Sequence, residues 1–64
     1  MKHFDLNWLI GKNKSDAKKM VEDNDYAFRI TSENGNDFMI TCDFRMDRIN
    51  VEIKEDIIIN ADFG

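Results

Sequence analysis

Cysteine is nearly absent from the chain: Cys42 is the only one, and His3 the only histidine. A lone thiol closes no internal disulfide, and one cysteine with one histidine makes no Cys/His metal cluster. Basic residues are also in the minority, nine Lys and Arg against thirteen Asp and Glu, for a formal net charge of −4. Phosphate backbones are bound by Lys and Arg that release counterions, so DNA or RNA is not expected as a partner. No apolar run is long enough for a signal peptide or a membrane helix, and the opening MKHFDLNW is polar from the start. A cytoplasmic setting is therefore expected over a secreted one, without membrane association. The chain has no glycine-rich phosphate cradle and no partner to activate a nucleophile, so neither an enzyme nor a cofactor is expected.

What is present is enough for one small core. The 64 residues are 42% hydrophobic and 34% charged, the composition of a folded globular domain rather than a disordered tail. Residues 1–64 are expected to form a single domain, near the lower size limit for a core without crosslinks.

The opening segment holds Phe4, Leu6, Trp8, Leu9 and Ile10 before Gly11, and Trp8 reads as a core anchor whose indole N–H meets a backbone carbonyl. Asn13 can cap a helix expected from about Lys14 to Asn24, with Asp16 three residues on as a capping acid. Ala17, Met20 and Val21 fall at i, i+3 and i+4, one narrow buried stripe, with the lysines on a solvated face. Tyr26, Phe28 and Ile30 alternate with Ala27, Arg29 and Thr31, and Ile49, Val51 and Ile53 alternate with Asn50, Glu52 and Lys54. Both patterns have the period of half-buried strands.

Asn34-Gly35 marks a turn after the first strand. Ile57-Ile58-Ile59 starts a third, short strand, which cannot turn all three side chains to one face and, if it forms a sheet edge, offers weak self-association of an otherwise monomeric chain. The expected class is α+β: one helix packed on a small mixed sheet. About fifteen residues between the two main strands lack a regular pattern, and a loop of that length in a small domain is where function is expected.

Two stretches carry a family resemblance. WLIGKNKSDAKKMVEDN resembles the Trp-x-x-Leu/Val-Gly-Lys-Ser-x-x-x-Ala-Lys-x-x-Ile segment of the potato inhibitor I family, and ITCDFRMDRINVEI resembles its Val-Thr-(Met/Leu)-(Glu/Asp)-(Tyr/Leu)-Arg-x-Asp/Asn-Arg-Val segment. The likeness spans about Trp8 to Gly64, and the second segment at its proper distance is the more specific. Asp47-Arg48-Ile49-Asn50-Val51 is also similar to a stretch of short microbial serine-protease inhibitors.

The resemblance implies a standard-mechanism inhibitor of a serine protease of subtilisin, elastase or chymotrypsin type. Its reactive loop would run from Ile40 to Arg45, cleaved between Cys42 (P1) and Asp43 (P1′), with Thr41, Ile40 and Phe44 at P2, P3 and P2′. A small, soft P1 side chain suits a shallow or apolar pocket better than an acidic one. Arg48 would support the loop by charge-assisted bonds to Thr41 and Asp43. The second supporting arginine of the plant inhibitors is replaced by Asn50, which the microbial inhibitors share, and SENGNDF is more polar than the corresponding plant segment. Read from the residues alone, the lesser alternative for Cys42 is a buried structural thiol, if the loop packs inward. The scattered Asp43, Asp47, Asp56 and Asp62 lack the spacing of a cation loop. The alternative function is a non-inhibitory module of the same fold that binds an intracellular protein.

Overall fold

A computed structural model describes residues 4–38 and 43–64. A short 3-10 turn at Leu6–Trp8 leads into the helix α1 (Lys14–Asp23), followed by strands β1 (Ala27–Glu33), β2 (Asn36–Asp37), β3 (Arg48–Lys54) and β4 (Ile57–Phe63). One helix packs on a four-stranded mixed sheet of order β2-β1-β3-β4, an α+β domain. β1 and β3 run parallel, and the other pairs are antiparallel.

The helix starts where its caps are. The Asn13 side chain accepts the Asp16 N–H at 2.8 Å, and the Asp16 carboxylate accepts the Asn13 side-chain amide at 3.2 Å. This satisfies one of the helix's orphan donors and sets a negative charge at its positive end. Asn24 ends the helix, its side-chain amide donating to the Met20 carbonyl. Ala17 and Val21 are fully buried against Leu9, Ile49, Val51, Ile53 and Ile58, and Met20 packs at the margin. No helix is long and apolar enough to cross a membrane among the described residues.

Three expectations need correcting. Trp8 is not buried: it is 47% exposed and lies edge-on to Phe4, which occupies the core position instead. Phe4 also meets Tyr26 edge-on, and Tyr26 meets Phe63, so this end of the core is closed by an aromatic group. The third strand is not short but seven residues long. A register shift opposite Glu52 and Ile53 lets Ile58 and Ala61, three apart, both face inward, and this breaks the alternation expected of a strand. Finally, the connection after β1 is not without structure, because Asn36–Asp37 folds back on β1 as β2.

Two tight turns are linked. Asn34 and Gly35 have φ of 53° and 81°, and Glu55 and Asp56 have φ of 51° and 68°, the left-handed values of hairpin turns. The Asn34 side chain accepts the Glu55 N–H at 2.7 Å, joining the two turns at one end of the sheet. Asp56 holds this conformation without glycine's freedom from steric cost. Asp56→Gly should therefore stabilise the fold by about 0.5–1 kcal/mol after the added flexibility of the unfolded chain is subtracted, read from the midpoint of urea unfolding.

Candidate functional site

The parallel pairing of β1 with β3 determines where the site lies. Ala27 lies opposite Arg48 and Glu33 opposite Ile53, so the chain leaving β1 must return along the whole strand before β3 begins. That return is about 20 Å at the rise of a strand. The described parts of this connection are tied to β1 at both ends: β2 pairs with it, the Phe38 N–H bonds the Thr31 carbonyl, and the Ala27 N–H bonds the Asp47 carbonyl at 2.8 Å.

The sheet has one apolar and one polar face. Phe28, Ile30, Ile49 and Val51 turn toward the core. The intervening residues Arg29 and Asn50, register partners on adjacent strands, turn to the opposite face together with Arg48. Asp43, Phe44 and Arg45 lie at the end of this polar face, exposed and in neither helix nor strand.

Arg48 joins the exposed segment to the sheet. Its side chain is only 11% exposed. Its Nη2 donates to the Asp43 carbonyl at 3.0 Å and to the Gly64 main-chain oxygen at 2.6 Å, and its Nε reaches the same Gly64 oxygen at 3.0 Å. Its Nη1 faces the Asp43 carboxylate at 3.5 Å. A planar fork of donors serves three acceptors at once in a fixed geometry that the compact point charge of a lysine does not supply. The Gly64 oxygen also accepts the Arg45 N–H at 3.3 Å, and the Gly64 N–H donates to the Arg48 carbonyl at 3.0 Å. Residues 43, 45 and 48 thus close on the end of β4.

Gly64 is suited to this position for a steric reason. Its φ is 151°, and a Cβ there would lie 2.9 Å from Asn50 Nδ2 and 3.6 Å from the Phe44 ring. Asn50 cannot easily yield, because its Oδ1 accepts Arg29 Nε at 2.7 Å. Arg29 was not a site candidate in the sequence; only the register that sets it beside Asn50 reveals its place.

On the outer side, Arg45 and Asp47 form a two-pronged ion pair, Nη2 to Oδ2 at 2.6 Å and Nε to Oδ1 at 2.9 Å. Both side chains are at least half exposed, so the pair shapes the 46–47 turn more than it stabilises the fold. Of the other expected site residues, Phe44 is 70% exposed, with its ring edge against Gly64, and Ile40, Thr41 and Cys42 lie outside the described residues. The Arg48 bond to Thr41 and the choice between an exposed and a buried Cys42 lie outside them too.

The lysine-bearing face of α1 borders a shallow groove of about 390 Å3 lined by Lys12, Asp16, Lys19, Met20, Asp23 and Asn24. Its charges are of mixed sign and none belongs to the loop. No group of three or more His, Cys, Asp or Glu able to hold a metal occurs among the described residues. No protein-family model matches the chain, and no curated protein does either.

The Asp47 carboxyl is held below the usual carboxylate range, chiefly by its hydrogen bond from Arg45, while the same contact raises Arg45. A carboxylate depressed in the folded state contributes stability above its ordinary pKa and loses it as pH falls through the lowered value. In an NMR titration the Asp47 carboxyl should titrate below an ordinary aspartate, and Arg45→Ala should move its midpoint upward. Gly64→Ala should cost about 1–2 kcal/mol in urea unfolding, because the new Cβ displaces Asn50 and the left-handed φ is strained.

Proposed function

We propose that the chain is a serine-protease inhibitor of the substrate-like kind, and that residues 40–45 are the segment it presents. The observation that carries this reading is the Arg48 fork, which fastens Asp43 to the end of β4 through its carbonyl and its carboxylate. A protease binds an extended stretch of backbone, and a segment already fastened in place loses little entropy on binding. The cost of ordering, which makes an ordinary peptide a weak ligand, is met during folding.

The likeness of ITCDFRMDRINVEI to the potato inhibitor I family supports the same reading and supplies its register: Cys42 in the specificity pocket, Asp43 on the leaving side and Phe44 beyond it. In that register Arg48 grips the residue just after the scissile bond. If the bond is cut, the new amino terminus at Asp43 stays fastened to Arg48, within reach of the acyl group. Religation then competes with release, and the protease is occupied rather than served. An apolar or shallow pocket of a subtilisin, elastase or chymotrypsin type suits Cys42.

Titration of a fixed amount of subtilisin, chymotrypsin and elastase tests this directly. The expected result is stoichiometric inhibition of at least one enzyme, preserved or improved by Cys42→Leu and abolished by Cys42→Asp, since a carboxylate is poorly received in an apolar pocket. Digestion or indifference with all three enzymes, without rescue by Cys42→Leu, would instead favour the non-inhibitory interaction module, whose partner a pull-down would seek.

A further inference from the structure

Two guanidinium groups from neighbouring strands converge on one main-chain oxygen. Arg48 of β3 donates to the Gly64 oxygen at 2.6 and 3.0 Å, and Arg29 of β1 reaches it through Nη2 at 3.4 Å. Arg29 also donates through Nε to Asn50 Oδ1 at 2.7 Å. With Oδ1 turned to Arg29, the amide nitrogen of Asn50 points the other way, and it abuts Gly64. Arg29 therefore acts on Gly64 twice, once directly and once by fixing the rotamer of Asn50.

Gly64 is in turn the point on which the exposed segment rests. Its oxygen accepts the Arg45 N–H, and the ring of Phe44 lies along it. β1 and β3 are hydrogen-bonded neighbours, so a displacement of Gly64 is opposed from both strands and not from Arg48 alone.

We propose that Arg29 is a positioning residue of the binding loop: from the opposite side of the loop's own connection, it holds Asn50 and Gly64 in the place that Arg45 and Phe44 rest upon. Its effect on protease binding rests on the inhibitor reading, whereas its effect on the loop does not.

The test compares wild type, Arg29→Gln and the exchanged variant Arg29→Asn with Asn50→Arg, which moves the guanidinium one strand over at the same register. Amide hydrogen exchange is followed at Arg45 and, as a control for global unfolding, at Val51 and Ile53. Arg29→Gln should accelerate exchange at Arg45 by about tenfold or more, the loss of one charge-assisted bond, and leave Val51 and Ile53 unchanged. The exchanged variant should recover most of that protection. Equal acceleration at all three amides would make Arg29 a general structural residue and overturn the proposal. So would an unchanged Arg45 or a failure of the exchanged variant to recover. Where wild type inhibits a protease, Arg29→Gln should also raise the inhibition constant by about tenfold or more. If wild type inhibits none, the inhibitor reading fails while the exchange at Arg45 still decides the role of Arg29.

Discussion

The grip of Arg48 on two parts of the chain at once is what the rest of the site depends on. One guanidinium, nearly buried, binds the Asp43 carbonyl and the Gly64 oxygen with the same nitrogen. Hydrogen bonds from a charged donor are roughly twice as strong as neutral ones, and withdrawing this donor would leave its acceptors to find water instead. Without it the segment would lose both its side-chain and its main-chain tie from Asp43 to Arg48.

That grip is possible because of the sheet's topology. Parallel β1 and β3 require a long return, and its described end, Asp43 to Arg45, lies at the end of the polar face that carries Arg29, Arg48 and Asn50. The opposite face is closed by α1 and the aromatic group of Phe4, Tyr26 and Phe63. A core of nine buried hydrophobic residues among those described is small, yet it aligns the two strands whose side chains meet beneath the segment. Packing on one face thus fixes polar geometry on the other.

Much of this architecture was legible in the sequence where local chemistry decides it. The Asn13 cap, the Ala17, Met20 and Val21 stripe, the Asn34-Gly35 turn and the alternation from Ile49 to Ile53 each report a local preference, and each element forms near its expected place. Expectation failed where a distant partner decides. Trp8 has the chemistry of a core anchor, but Phe4 fills the site; β4 is masked by its bulge; and β2 is two polar residues whose strand character comes only from pairing with Ser32 and Glu33. Of the site, Asp43, Phe44, Arg45, Arg48 and Asn50 were candidates through a resemblance and not through spacing. Arg29 escaped because its significance lies in a contact 21 residues away. The inhibitor proposal rests on the likeness that the two quoted segments carry and on the Arg48 geometry.

The most direct measurement is the fate of the intact chain under a catalytic trace of subtilisin, followed by mass spectrometry beside an Arg48→Met variant that keeps the apolar stem and loses the fork. Wild type should be cut at the single bond between Cys42 and Asp43, with the two fragments remaining together and a fraction of intact chain persisting at equilibrium. Arg48→Met should be consumed to completion. Rapid digestion of both at several sites, or equal persistence of both, would contradict the claim that Arg48 holds the segment in its inhibitory state.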